Sequence, residues 1–442
     1  MQPVSREKPA WHRALPRLLP QGVSGSLDYA ATFATEFAVM ASMLLVYRLA
    51  AGYWPTEQFS EYALARRTVG LIQLPLLVGV GIAIPRYMAM ATASGAPEEA
   101  GRYFTAGLVV GTSVTLAAVA GLSLFAGPAA IILFGSARYA HLVGALSLAV
   151  LGISLHVLAY SYFRGRREMG LANALQLLNL GVLPPMVFLV HGLSVAGFIA
   201  LTGLGWMAIA MVALGTVLAR LGSAAWHRPR LWASAIELLR FGVVRVPGEF
   251  ALAALLVLPA TIATHLAGVT VGGLVAFSLT LVNAVGSAFA PIGLVLLPQA
   301  SALVARGDLY ALRRILARLL TGAVLLTGLA VVGFELFGPW ALRWYLGPGL
   351  AEQLRVARLV FVGVIPFVVY IVLRNALDAL HVRPYNTKNL VLALAVLLAS
   401  AALGRTVVAS VLGLLGGLLV LGVLTLADTV RLTRAPVSVG AS

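Results

Sequence analysis

A few polar and ionisable side chains interrupt apolar stretches of this chain at spacings that let them act together. Asp28, Thr32, Thr35 and Glu36 fall at i, i+4, i+7 and i+8, a single stripe of a helix. A stripe of that kind faces a bundle interior or a hydrated cavity, because an ionised group in hydrocarbon costs several kcal/mol. Glu36 is therefore read either as a group that exchanges a coupling ion, H+ or Na+, or as a structural carboxylate bonded to a neighbouring helix. Arg245 and Glu249 sit four apart at the start of another apolar stretch and can pair on one face. The alternative is a guanidinium offered to an anionic headgroup and half-masked by Glu249 until that group arrives. Arg66 and Arg67 are adjacent, so they cannot both snorkel along one face, whereas Arg48, near the end of its stretch, can. Asn283 with Ser287 is a polar pair in an apolar helix, serving as helix–helix glue or as a ligand contact. The expected roles are substrate binding for Arg245, Arg66, Arg67 and Arg48, and coupling for Glu36, Glu249 and Asp28. Thr32, Thr35 and Asn283 are expected to supply polar cavity wall.

The elements that must position these groups are helices in lipid. Of 442 residues, 60% are hydrophobic and only 10% charged. Crossing a hydrocarbon core takes about 20 apolar residues in a helix. Twelve spans are expected, at roughly 27–50, 60–84, 102–125, 139–163, 170–190, 194–219, 242–267, 271–303, 312–336, 353–380, 386–403 and 407–427. The fold class is an all-α polytopic membrane protein. An even count puts both termini on one side, and clusters such as Arg164, Arg166 and Arg167, or Arg306, Arg313 and Arg314, make that side cytoplasmic by the positive-inside rule. The other side holds Arg138, Arg343, Arg355, Arg358 and Arg405.

The same distribution turns the net charge of +16 into an orientation signal and argues against nucleic acid. There are no cysteines, and the seven histidines lack ligand spacing, so neither a disulfide nor a metal site is expected. No glycine-rich loop ends in a phosphate-binding lysine. The connections on the outer side, about 126–138 and 337–352, are short and apolar without an acid–base cluster, which disfavours a glycosyltransferase, polymerase or ligase. The basic start of the chain has no apolar core of a signal peptide, and Trp11 with Leu15, Leu18 and Leu19 suggests a short interfacial helix.

Residues 220–241 form the longest cytoplasmic connection and divide the spans six and six. The expected order is a basic segment 1–26, a six-helix bundle 27–219, an amphipathic linker 220–241, a second bundle 242–427 and a tail 428–442. Short matches support a parallel repeat: Glu36-Phe37-Ala38 recurs as Glu249-Phe250-Ala251, and Pro85 as Pro298, at one constant offset. Pro75, Pro85, Pro247, Pro291 and Pro298 are read as helix bends, since each removes a backbone hydrogen bond.

Several stretches resemble the polysaccharide flippase (Wzx-type, O-antigen) branch of the multidrug/oligosaccharidyl-lipid/polysaccharide exporter superfamily. They are Phe59 to Ala65, Gly79 to Tyr87, Leu239 to Gly242 with Pro247-Gly248, and Leu297 to Ser301 followed by Gly307 to Leu309 and Arg313-Arg314. The resemblance implies two bundles around a central cavity. It further implies alternating-access transfer of a prenyl-diphosphate-linked oligosaccharide to the outer leaflet of a bacterial inner membrane, by a monomer, without a cofactor. A polysaccharide polymerase is the expected partner besides membrane lipids. Acidic residues in the first or seventh span also occur in the superfamily's multidrug exporters, so a cation-coupled drug exporter is the alternative.

Overall fold

In the computed structural model the described backbone comprises residues 23–77, 79–221, 226, 228–353, 355–380 and 385–434. The interfacial helix expected around Trp11 and the side chain of Asp28 lie outside the described residues. Every described element is helical: α1 Val23–Tyr53, α2 Thr56–Leu76, α3 Val80–Ala93, α4 Pro97–Leu124, α5 Ala126–Phe134, α6 Ala140–Gly165, α7 Met169–Val187, α8 Val195–Arg220, α9 Arg228–Val243, α10 Val246–Ala267, α11 Val269–Ala305, α12 Leu309–Leu346, α13 Arg355–Leu380, α14 Tyr385–Gly404 and α15 Val407–Arg434. Eleven helices are long and apolar enough to cross a membrane, and the bent pair α2–α3 makes a twelfth. Their outward faces carry large apolar side chains, such as Leu124, Val212, Leu329 and Trp340, as a lipid environment requires.

Three boundaries differ from the sequence expectation. The second span is broken, with α2 and α3 meeting at 48° after Pro75. Gly79, at φ 67°, starts α3 in a left-handed conformation that glycine tolerates without strain. A Cβ there would also lie 2.7 Å from the Cα of Gly242, so the break is pressed against the linker helix. Helix α12 runs on through Pro339 to Leu346 instead of ending near 336, and α15 continues to Arg434 with Thr429 and Thr433 buried.

The proline expectations divide. Pro247 occupies the first turn of α10, where the missing N–H has no intrahelical partner to lose, so it is not a bend. Pro85 lies inside an unbroken α3, and the backbone of α11 is continuous through Pro291 and Pro298, whose side chains lie outside the described residues.

The two halves meet along α2 and α11. Ser60 and Gly273 touch there: a Cβ on Gly273 would fall 2.3 Å from the Ser60 Cα. One helical stretch further on, Arg67 bonds Thr280, a partner 213 residues away. Both contacts have the separation of the Glu36–Glu249 match, as expected where equivalent helices cross at a twofold axis. Around this crossing Tyr47, Phe59, Tyr62 and Phe277 pack edge to face, and Trp54, Phe188 and Phe198 continue the plug. The α1–α2 end of the molecule is therefore sealed by aromatic rings. Helix α9, the connection between the halves, packs on α3 and α4.

Candidate functional site

Just beneath the aromatic seal lies a cavity of about 350 Å³, lined by helices of both halves. Its polar wall comes from Tyr47 on α1, Tyr62, Arg66 and Arg67 on α2, and Thr280 and Asn283 on α11. Arg67 donates from Nε to Thr280 Oγ1 at 3.2 Å, and Tyr47 shares the same hydroxyl at 3.2 Å. One terminal nitrogen of Arg67 is buried with no hydrogen-bond partner among the described residues. Arg66 lies 5.9 Å from the centre of the Tyr47 ring and beside the Tyr62 hydroxyl. Two cations thus stand side by side in a space whose lining, among the described residues, includes no carboxylate. Burying a guanidinium without a counter-ion is costly.

Glu36 is elsewhere. It accepts a 2.7 Å hydrogen bond from Gln176 Nε2 on α7, one turn from Thr32, which accepts from Asn173 at 3.2 Å. The stripe read from the sequence therefore faces a neighbouring helix through side-chain amides. Glu36 also borders a small crevice with Phe37, Met40 and Ser287, on the seam between α1 and α11. Thr35 turns back on its own helix and donates to the Ala31 carbonyl at 2.9 Å.

The structure places Arg48, Arg245 and Glu249 outside the lining of the central cavity. Arg48 is exposed at the edge of α1 and does not line the cavity; its position in the last turns of the span lets the long side chain reach outward. Arg245 lies away from Arg66 and Arg67 and does not line the cavity either. Nor does it form an ion pair with Glu249 among the described residues: its Nη1 donates to the Phe241 carbonyl at 3.1 Å, and its guanidinium stacks on the Phe241 ring at 3.8 Å. Glu249, on the first turn of α10, is partly buried, outside the residues that line the central cavity.

Sequence reasoning gave no site role to Tyr47, Thr280, Asn173 or Gln176, nor to Tyr62, Phe241 and Arg86, which lie in the stretches that carry the resemblance. Two signals were present. Asn173, Gln176 and Asn179 recur every third residue in an apolar span, a polar face matching that of α1. Thr280 stands at the repeat offset from Arg67.

No family model matches the sequence, and no curated protein does. Solved structures do. An inward-facing conformation of a multidrug resistance MATE family transporter of the MOP superfamily overlaps with a TM-score of 0.72 at 14% identity, over 92% of this chain and 100% of that one. An outward-facing conformation of such a transporter gives 0.62 at 14% identity, over 92% and 96%. A eukaryotic MATE transporter gives 0.67 at 15% identity, over 92% and 97%. The chain has the MATE transporter fold, and at this identity the likeness speaks to the fold alone.

Proposed function

We propose that this protein is an alternating-access flippase that carries a prenyl-diphosphate-linked oligosaccharide from the cytoplasmic to the outer leaflet of a bacterial inner membrane. The observation that carries the reading is the charge of the central cavity: Arg66 and Arg67, with no acid among the described residues of its wall. A diphosphate headgroup cannot cross hydrocarbon unaided, and two guanidinium groups on one helix supply several charge-assisted hydrogen bonds for it. Asn283, Thr280 and the tyrosines add neutral donors and acceptors suited to sugar hydroxyls. The prenyl tail would stay in lipid, passing between the halves.

Alternating access is supported by the aromatic seal at one end and by greater overlap with an inward-facing than with an outward-facing relative of the fold. By the positive-inside distribution the sealed end faces outward and both termini face the cytoplasm. Glu36 and Glu249 are the groups we assign to ion coupling, with H+ or Na+ as the driving ion. A single chain contains the whole cavity, and no cofactor is needed for this transport. The products would pass to a polysaccharide polymerase.

Multidrug export is the second reading, favoured by the fold that the chain shares with multidrug transporters. It calls for attraction of lipophilic cations, which two buried arginines oppose. Proteoliposome assays separate the two. Wild-type protein is expected to translocate a fluorescent prenyl-diphosphate sugar and to leave ethidium where it is. Ethidium export with no movement of the anionic lipid would replace the flippase reading with the second one.

A further inference from the structure

Away from the central cavity, two arginines from different halves converge on one aromatic ring. Arg86 of α3 lies 4.6 Å from the centre of Phe241, and Arg245, just before α10, lies 3.8 Å from it. Among the described residues neither guanidinium has a carboxylate within ion-pair distance, and the one hydrogen bond between them is that of Arg245 to the Phe241 carbonyl. Most of their donors are therefore unused. The ring between them is well braced. Tyr87 meets it edge to face at 5.7 Å, Tyr87 packs on Tyr103 at 5.0 Å, and the Tyr103 hydroxyl donates to Glu237 at 2.7 Å. The Gly79–Gly242 contact pins the linker helix against the break in the second span at the same place.

The surroundings say which anion such a pair meets. Helix α9 exposes Trp232 and its last residue Val243, and the turn that follows exposes Val244 beside Arg245. An amphipathic helix with exposed tryptophan and flanking arginines sits at headgroup depth in a bilayer. The guanidinium pair therefore lies where phosphate groups of lipids are concentrated, with an apolar surface beside it for a hydrocarbon chain.

We propose that Arg86, Arg245 and Phe241 form a capture site for the diphosphate of a prenyl lipid, at the seam where the linker joins the second and seventh spans. The site rests on the flippase reading for its substrate and is separate from the cavity that holds Arg66 and Arg67. Each arginine takes one phosphate, the ring keeps the two cations together despite their repulsion, and the tail lies along Val243 and Val244. A headgroup held there is concentrated at the mouth of the transport route before it enters.

The test uses the full-length protein in phosphatidylcholine nanodiscs and equilibrium binding of labelled farnesyl diphosphate. On an Arg66→Gln, Arg67→Gln background, which silences the cavity, binding is expected to persist. Adding Arg86→Gln or Arg245→Gln is expected to weaken it about tenfold, and adding both about a hundredfold, as for loss of charge-assisted bonds. Arg→Lys at the same positions should cost only a few-fold, which also shows that the fold survives. Unchanged binding after loss of both arginines would overturn the capture site and leave the cavity reading standing. Equal affinity for inorganic diphosphate would overturn the lipid assignment. If wild-type protein bound none of these probes, the capture site and the flippase reading would fall together.

Discussion

Replacing Arg67 by methionine should separate function from stability. Among the described residues Arg67 makes one hydrogen bond, to Thr280, and leaves one terminal nitrogen buried and unpaired. The bond to a charged donor contributes about 1.5–3 kcal/mol, and the orphaned group costs about 1–3 kcal/mol. Methionine removes both and fills much of the same volume with an apolar chain. Thr280 keeps its bond to the Ala276 carbonyl and its contact with Tyr47. The net change in stability is therefore close to zero, and relief of the buried charge could raise it by about 1–2 kcal/mol. Transport should behave differently. If Arg67 holds a phosphate oxygen, its loss removes about 1.5–3 kcal/mol of interaction, or about a 10- to 100-fold fall in kcat/KM for the anionic lipid. Thermal melting in detergent and flipping in proteoliposomes measure the two quantities on one preparation. A melting temperature that collapses together with transport would make Arg67 a structural residue. Full transport with an intact melt would remove it from the substrate path.

Two further substitutions probe coupling and closure. Glu36→Gln preserves a hydrogen-bonding partner for Gln176 while abolishing titration, so the pH dependence of export should flatten; an unaltered profile would detach Glu36 from coupling. Gly273→Ala places a methyl carbon within 2.3 Å of Ser60 backbone, which cannot yield as a flexible side chain would, and should pry the halves apart at the sealed end. The chain has no cysteines, so spin labels at Gln58 and Leu266 can be introduced directly, and their separation should grow or broaden. An unchanged distance distribution would show that this glycine contact does not hold the seal.

The lipid-spanning helices were legible because hydropathy over some twenty residues is a large, local signal. The failures came where a helix outlasts its apolar pattern or ignores a local breaker. Pro339 ends no helix, since α12 carries on beyond it, and α15 runs on past Thr429 and Thr433, both buried and each bonding a carbonyl of its own helix one turn back. Pro247 looked like a bend because proline in a span usually is one, yet only the true helix start decides whether an N–H is missed. Within the site, the arginine pair on α2 could be picked out by adjacency alone. What Glu36 faces could not, because the partner lies on α7, 140 residues away, and one sequence carries no record of that proximity. Arg245 was ambiguous at short range: spacing offered Glu249 four residues ahead and Phe241 four residues behind, the structure pairs it with the Phe241 ring, and only the approach of Arg86 is tertiary.

The two sides of the α2–α11 crossing do not carry the same charge, and that difference bears on mechanism. At the crossing of α2 and α11 the positions related by the 213-residue offset are occupied by Arg67 and Thr280, which bond to each other. A symmetric pair of arginines there would repel and hold the crossing open; arginine against threonine lets the helices close while leaving donors over for a ligand. An anion bound to Arg67 competes directly for the nitrogen atoms nearest Thr280 and so acts on the contact between halves as well as on the headgroup. Thr280→Val sharpens the point. It deletes the acceptor but keeps the shape, so anion affinity should hold or rise while the sealed end opens more readily. Loss of anion binding with an unaltered seal would place Thr280 in the ligand site and break the proposed link between occupancy and closure.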